Sequence, residues 1–81
     1  KYEDRNWERG YEWNKSFQAL QRHIWAFWNG EDVDPETGSP HVIAAAWHCF
    51  SLAQFQSDLS RYAQFDDRPT PVTLPALVEA L

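Results

Sequence analysis

Apolar residues recur every three or four positions between residues 14 and 29. The repeat consists of Phe17, Leu20, Ile24, Phe27 and Trp28. Polar residues occupy the opposite side of the same stretch: Lys15, Gln18, Arg22 and Asn29. This i, i+3, i+4 spacing predicts an amphipathic α-helix that begins at Asn14 or Ser16 and ends at Asn29. Gly30 follows at the position where a left-handed residue commonly ends a helix.

A second helix is predicted after a stiff loop. The loop contains Asp34-Pro35-Glu36-Thr37-Gly38, in which proline fixes φ and glycine can adopt a positive φ, as tight turns require. Ser39 and Pro40 then have the residue types of a helix N-cap and first helical residue. We expect this helix to run from Pro40 to at least Gln56 and at the furthest to Gln64.

The second predicted helix is apolar around most of its circumference. Two of its sides carry, respectively, Val42, Ala46, Cys49, Phe50 and Ala53, and His41, Ala45, His48, Leu52 and Phe55. Such a helix has to be buried on nearly all sides, and the first helix can cover only one of them. Covering the rest with a second copy of the chain contributes several kcal/mol at about 25 cal/mol per Å² of apolar surface. The predicted fold is therefore an all-α antiparallel helical hairpin with a short C-terminal helix, packed as a helical oligomer.

The C-terminal part of the chain differs in composition from the helices. Residues 66–71, Asp-Asp-Arg-Pro-Thr-Pro, are typical of an extended, solvated connector. Residues 73–81 have the pattern of a short helix capped by Thr73. Eighty-one residues suffice for one domain. We therefore expect a helical domain over residues 1–65 and a Pro-rich connector with a short C-terminal arm over residues 66–81.

Composition narrows the classes of function. The net charge is −5, whereas a general nucleic-acid binder needs a basic face, so a nucleic-acid polymer is not expected as a partner. Cys49 is the single cysteine, which excludes an internal disulfide and is typical of a cytoplasmic protein. The least polar stretch, residues 40–55, is too short to span a membrane. We expect no membrane partner.

Two groups of residues are candidate metal ligands. The loop carboxylates follow an Asp32-x-Asp34-x-Glu36 pattern, which begins like a calcium-binding loop but lacks its later ligands. An antiparallel hairpin also brings His23 level with His41 and His48, and three imidazoles could hold zinc, although no HxxxH or CxxC spacing accompanies them. The simpler interpretations are a solvated acidic turn and hydrogen-bonded core histidines.

Phosphate recognition is favoured by the cations of the first helix. Arg22 and His23 are adjacent in a stretch without acidic residues, and His41 lies in the first turn of the second helix, where backbone N–H groups favour an anion. Tryptophan rings provide faces on which a base can stack. The alternative is that the tryptophans form the core and the cations are solvated. The candidate ligand-binding residues are Lys1, Arg5, Trp7, Arg22, His23, His41 and Trp47.

Several short motifs occur in an order that resembles a known family. They are Lys1-Tyr2, Arg5-Asn6-Trp7, Gly10, Arg22-His23, Gly30-Glu31-Asp32, Asp34-Pro35-Glu36-Thr37-Gly38 and His41. Together they cover about residues 1–56 and resemble the phage-associated dATP/dGTP diphosphohydrolase N-terminal domain family. The resemblance also suggests kinship with the all-α MazG-like nucleotide pyrophosphohydrolases, which work as oligomers.

The resemblance implies a phage-type protein of the host-cell cytoplasm that removes diphosphate from purine deoxynucleoside triphosphates with Mg²⁺ or Mn²⁺. MazG-like enzymes hold these ions with pairs of helix carboxylates, because hard cations prefer oxygen ligands. Here both predicted helices lack acidic residues before Asp58. Among the clustered loop carboxylates, Asp34 and Glu36 are the candidate metal ligands.

Three hypotheses follow for the function. The protein hydrolyses a deoxynucleoside triphosphate to the monophosphate and diphosphate. Alternatively, it is not an enzyme and sequesters a nucleotide, for instance a signalling nucleotide of a host defence system. As a second alternative, it is a structural oligomerisation module. The first two imply a homo-oligomer with a purine nucleotide or a signalling nucleotide as its small-molecule partner.

Overall fold

The computed structural model of the protein describes residues 6–69. Within this range the regular structure is helical, apart from one isolated β-bridge between Val33 and Pro40. The helices are α1 (Trp13–Trp28), α2 (His41–Ser57) and the short α3 (Leu59–Tyr62), with 3₁₀ turns at Asn6–Arg9 and Ala63–Phe65. The predicted all-α class is confirmed, whereas the short helix expected over residues 73–81 lies outside the described residues.

Helix α1 begins and ends close to the predicted residues. At its end Gly30 has a φ of 98°, its N–H donates to the carbonyl of Phe27, and the N–H of Glu31 donates to the carbonyl of Ala26. These two bonds form a Schellman motif, which satisfies carbonyls at the end of the helix. The prediction that Gly30 ends the first helix in a left-handed conformation is confirmed.

The start of α1 is bound by the first residues of the predicted connector. Glu12 stands at the N-cap position without a side-chain cap. Instead, the Asp67 carboxylate accepts hydrogen bonds from the backbone N–H of Asn14 at 3.0 Å and from its Nδ2 at 3.1 Å. The Arg68 guanidinium lies 4.8 Å from the centre of the Trp13 ring. This part of the connector therefore packs on the helical domain.

The predicted start of the second helix is wrong by one residue. Helix α2 begins at His41, and Pro40 occupies the N-cap position with an extended ψ of 134° and no side-chain cap. The reason is the bridge between Val33 and Pro40. Because the N–H of His41 donates to the carbonyl of Asp32 at 2.9 Å, Ser39 and Pro40 are held in an extended segment and cannot supply the cap.

The second helix also does not continue to Gln64. Asp58 interrupts it with a φ of −136° and a ψ of 73°, and the chain turns into α3. This turn brings Tyr62 onto the core, where its hydroxyl donates to the carbonyl of Glu8 at 2.7 Å. The core cluster consists of Trp13, Phe55 and Tyr62, with Trp7, Tyr11, Leu52 and Phe65 packed against it.

Contacts between α1 and α2 pair the beginning of each helix with the end of the other. Trp13 and Phe55 share the core cluster, and His23 contacts His41. On α1 the buried residues are Trp13, Ser16 and Ala19. The apolar face predicted for this helix is therefore not the one that meets α2: its largest rings stay exposed, Trp28 by 77%. The contact between α1 and α2 is lined by small side chains such as Ser16 and Ala19. Their size lets the two helices approach each other.

No helix in residues 6–69 combines the length and the apolar character that crossing a membrane requires.

Candidate functional site

A polar cluster lies where the end of α1, the connecting loop and the start of α2 meet. The Nδ1 atoms of His23 and His41 are 2.8 Å apart. The Nε2 atom of His41 is 2.7 Å from a carboxylate oxygen of Glu31. Ligand atoms of His23, Asp34 and His41 all lie within 4.8 Å of one another. Two nitrogens and one carboxylate oxygen thus converge from three different segments. We call His23, Glu31, Asp34 and His41 the histidine–carboxylate cluster.

The contact with Glu31 decides which nitrogen of His41 carries its proton. His41 is only 5% exposed, while the Glu31 side chain is about half exposed. A carboxylate accepts hydrogen bonds, so the Nε2–H of His41 donates to Glu31. In the neutral ring the Nδ1 atom of His41 then carries a lone pair, which faces the Nδ1 atom of His23.

Local backbone structure explains why these side chains meet. The Schellman motif after Gly30 reverses the chain and places Glu31 beside the start of α2. In the loop, the Asp34 carboxylate accepts the N–H of Glu36 at 2.9 Å, and the Asp34 carbonyl accepts the N–H of Gly38 at 2.7 Å. These bonds make the tight turn that the Asp-Pro-x-x-Gly sequence predicts. They orient Asp34 toward the helices.

A second hydrogen-bonded chain continues from the cluster toward the core. The hydroxyl of Tyr11 lies 2.6 Å from Oγ of Ser16, which lies 3.0 Å from Nδ1 of His48. The His48 ring stacks on His23 with ring centres 6.0 Å apart. Burial lowers the pKa of His48, and the charges of His23 and Arg22 lower it further. His48 is therefore held in its neutral form as a structural hydrogen-bond partner.

The predicted phosphate-binding residues take different places. Arg22 is exposed on the outer side of α1, next to His23 in the chain, and shares a shallow cavity with Gln18, Gln21 and Trp25. His23 and His41 are partners of each other within the cluster. Lys1 and Arg5 lie outside the described residues.

The two predicted base-binding tryptophans contact each other. Trp7 is half-buried, with its ring centre 6.4 Å from that of Trp47 and 6.3 Å from that of Phe55. Trp47 is exposed on one side and meets the edge of His48 at 5.0 Å. Trp7 thus belongs to the margin of the core, whereas Trp47 keeps a free face.

The two predicted metal ligands also differ in their surroundings. Asp34 belongs to the group of converging ligand atoms, and Glu36, an exposed residue, is not part of that group. Sequence reasoning missed Glu31 as a site residue. Its position directly after Gly30 was the available signal, because a Schellman motif turns the following residue back along the helix end.

The donor set suits a divalent cation. Neutral imidazole nitrogens and a carboxylate are the ligands that Mn²⁺, Zn²⁺ and related ions accept in proteins. The buried His41 ring, supported by Glu31, has the arrangement in which a metal-binding histidine is normally held.

Comparison with known proteins assigns the chain to a family. The family model described as dATP/dGTP diphosphohydrolase, N-terminal, matches residues 1–68, which include the whole histidine–carboxylate cluster. Comparisons with curated proteins and with solved structures gave no significant match. The resemblance carried by the short motifs is thus confirmed, and the chain belongs to the dATP/dGTP diphosphohydrolase N-terminal domain family.

Proposed function

We propose that this domain binds the phosphates of a purine deoxynucleoside triphosphate at the histidine–carboxylate cluster and cleaves the nucleotide to its monophosphate and diphosphate. The observation that carries the proposal is the convergence of His23, Asp34 and His41 in a domain of this family. In the reaction a water oxygen adds to the α-phosphorus, the bond to the bridging oxygen breaks, and a proton is released with the products.

A divalent cation, Mg²⁺ or Mn²⁺, supplies the neutralisation of phosphate charge and the polarisation of phosphorus–oxygen bonds when it is bound. Asp34 provides a carboxylate for it, and Glu36 lies two residues further along the same turn. Glu31 keeps His41 in one orientation. The exposed side chain of Glu31 marks the side from which the phosphates reach the cluster.

Cationic and aromatic side chains around the cluster bind the rest of the nucleotide. Arg22 is exposed beside His23, and a guanidinium binds two phosphate oxygens at once. Lys1 and Arg5 are further candidate phosphate-binding cations in the proposal. The free face of Trp47 offers a stacking surface for the base. These local cations are needed because the chain as a whole carries a charge of −5.

Sequestration without cleavage is the second candidate, and one observation favours it. Neither α1 nor α2 contains an Asp or Glu residue, so the helix carboxylate pairs of the MazG-like enzymes have no counterpart here. A site with few carboxylates can bind a nucleotide, such as a signalling nucleotide of host defence, without hydrolysing it.

We further propose that the α1–α2 hairpin assembles with a second copy of itself. Among the described residues, eleven large apolar side chains are exposed, nine of them on α1 and α2. A shallow cavity of about 350 Å³ joins the two helices, lined by Ile24, Trp25, Phe27, Trp28 and Val42. Continuous apolar surface of this kind marks an interface. Neither helix contributes a carboxylate to it, so two copies can meet there without burying negative charge.

The assembly is tested by light scattering coupled to gel filtration. Trp28→Glu places a charge in the exposed apolar face and is expected to yield monomers, whereas Gln56→Glu, at an exposed polar position of α2, leaves the assembly intact. A wild-type protein that is monomeric at every attainable concentration contradicts the proposal. The exposed rings would then not be explained by self-association.

Product analysis tests the proposed activity. The protein is incubated with a panel of nucleoside triphosphates and cyclic signalling nucleotides in Mn²⁺ or Mg²⁺, the products are separated, and the protein is then heat-denatured to release bound ligand. New monophosphate and diphosphate support hydrolysis. Intact released nucleotide supports sequestration. If neither product nor bound ligand is found, the structural oligomerisation module is the supported hypothesis.

Arg22 provides the matched mutational test. Arg22→Ala is expected to weaken nucleotide binding about 10- to 100-fold, because hydrogen bonds to charged groups contribute about 1.5–3 kcal/mol. Lys15→Ala, which removes another exposed cation of α1, is the control and leaves binding unchanged. If Arg22→Ala instead lowers the melting temperature strongly, Arg22 supports the fold and the assignment is wrong.

A further inference from the structure

We infer that His23, Asp34 and His41 form a nitrogen-rich metal site that selects a transition-metal ion such as Mn²⁺, Co²⁺ or Zn²⁺ over Mg²⁺ and Ca²⁺, with Glu31 as a positioning residue. The inference deepens the proposed function, since the same cluster would present the ion to the phosphates. Metal binding itself rests on the geometry of the cluster and needs no nucleotide.

The separation of the two imidazoles matches that of neighbouring metal ligands. Histidine nitrogens lie about 2.0–2.1 Å from such ions. When the nitrogen–metal–nitrogen angle lies between its octahedral and its tetrahedral value, the two nitrogens are therefore about 2.9–3.4 Å apart. The Nδ1 atoms of His23 and His41 are 2.8 Å apart, close to the lower end of this range. A carboxylate oxygen of Asp34 lies within 4.8 Å of both.

Glu31 prepares the site by fixing the proton of His41. Because Nε2–H of His41 donates to Glu31 at 2.7 Å, its Nδ1 lone pair points at His23. Without a metal ion, the short contact requires a proton on Nδ1 of His23. A bound cation takes the place of that proton, and the neutral His23 ring then carries its single proton on Nε2. Metal binding at this site therefore requires that the proton of His23 leave Nδ1, while His41 already presents a free lone pair.

The ligand types decide which ion is preferred. Mg²⁺ and Ca²⁺ are hard cations that take oxygen ligands, whereas imidazole suits the later divalent ions. Two of the three converging donors here are nitrogens. Three protein ligands also leave coordination positions open, which is typical of sites that bind a substrate rather than of purely structural sites. The exposed side chain of Glu31 marks the side from which a phosphate oxygen can enter.

Calorimetric titration of the full chain, freed of any histidine tag, tests the inference with the metal ions alone. Mn²⁺, Co²⁺ and Zn²⁺ are each expected to bind with one ion per chain and at least tenfold more tightly than Mg²⁺. Bound Co²⁺ should develop visible absorption from nitrogen ligation.

Substitutions locate the ion. His23→Gln and Asp34→Asn are expected to weaken Co²⁺ binding about 100-fold and to change its spectrum, and Glu31→Gln to weaken it about 10- to 100-fold, the usual effect of removing a supporting carboxylate. His48→Gln is the matched control, because this histidine stacks on His23 but is not among the converging ligands. Circular dichroism verifies that each variant folds. The test substitutes His23, which is partly buried, rather than the buried His41, because a change in the buried ring is more disruptive to the fold.

Two results would overturn the inference: no stoichiometric binding of any of the three ions, or Co²⁺ binding that survives His23→Gln together with Asp34→Asn. The outcome is separable from that of the proposed function. Nucleotide cleavage supported by Mg²⁺ without stoichiometric Co²⁺ binding refutes only the metal inference. Tight Co²⁺ binding without nucleotide binding or cleavage refutes only the proposed function.

Discussion

The two ends of the α1–α2 pair are built from opposite kinds of contact. At one end, which we call the closed end, Trp13, Phe55 and Tyr62 are almost completely buried against one another. At the other, the open end, His23 and His41 meet in a polar contact while Trp25 and Trp28 remain exposed. One pair of helices thus has an apolar core at one end and a polar cluster flanked by uncovered rings at the other.

This difference places the stabilising contacts of a small domain mainly at one of its ends. Apolar burial is concentrated at the closed end, as are the hydrogen bonds of the Tyr62 hydroxyl and the Asp67 carboxylate. Most of the stabilising free energy therefore arises there. The open end contains the buried ring of His41, and buried polar groups stabilise a fold little. In the proposed function, this end serves binding and assembly. Substitutions should therefore affect the fold at one end and ligand binding or self-association at the other.

The largest expected effect comes from the phenylalanines of α2. Phe55 is 0% exposed in the core, and Phe50, on the same helix, is 74% exposed. Phe55→Ala is expected to lower the free energy of unfolding by about 3–5 kcal/mol, and Phe50→Ala by less than about 0.5 kcal/mol in the isolated chain. Urea denaturation followed by circular dichroism measures both.

Protein concentration distinguishes the buried phenylalanine from the exposed one further. Association stabilises the folded state by mass action. The loss from Phe55→Ala should hence be the same at all concentrations, while that from Phe50→Ala should grow as the protein is concentrated. Equal losses from the two substitutions at low concentration would show that the exposed face of α2 contributes to the fold of the single chain.

Glycines at the two ends give the next largest contrast. Gly10 and Gly30 both have a positive φ, of 87° and 98°, so alanine at either costs about 1–2 kcal/mol. At Gly10 an added Cβ would also stand 2.7 Å from Cδ2 of Phe65 and 3.0 Å from Cδ1 of Tyr62, whereas at Gly30 it meets open space. Overpacking adds about 1–3 kcal/mol to the effect of Gly10→Ala.

Thermal denaturation of the two alanine variants measures this difference directly. Gly10→Ala is expected to have the lower melting temperature. Equal melting temperatures would mean that Phe65 moves aside at no cost, and that the packing at the closed end is looser than the structure shows.

Local signals in the sequence predicted the elements better than the way they pack. The apolar spacing and Gly30 placed the end of α1 within one residue and its start within one to three residues. An antiparallel arrangement placed His23 level with His41. The start of α2 was wrong because the bridge between Val33 and Pro40 is a contact that capping propensities do not contain.

The contacts of the site were harder to predict for the same reason. Glu31 was missed because its role depends on the direction in which the chain leaves α1. The cap of α1 comes from Asp67, 53 residues after Asn14, and no local pattern shows it. Five tryptophans of similar character in the sequence divide into the buried Trp13 and the exposed Trp28 only once the helices pack.

The smallest expected effect concerns His48, which connects the two ends through Ser16. Burial, with the charges of His23 and Arg22, lowers the pKa of His48 below its ordinary value of 6.5. At a pH between the folded and the unfolded pKa, the unfolded chain binds more protons, so acidification favours unfolding. The stability that depends on neutral His48 is fully present above about pH 7, beyond the ordinary pKa, and is lost as the pH falls through the folded pKa.

Urea denaturation at a series of pH values measures this loss. On acidification, the free energy of unfolding is expected to decrease less for His48→Gln than for the wild type. Ser16→Ala is the control: it removes the hydrogen-bond partner at 3.0 Å and lowers stability by about 1 kcal/mol, but it retains the titrating ring and hence the pH dependence. Identical pH dependence in His48→Gln and the wild type would show that His48 takes up its proton as readily in the folded protein as in the unfolded chain.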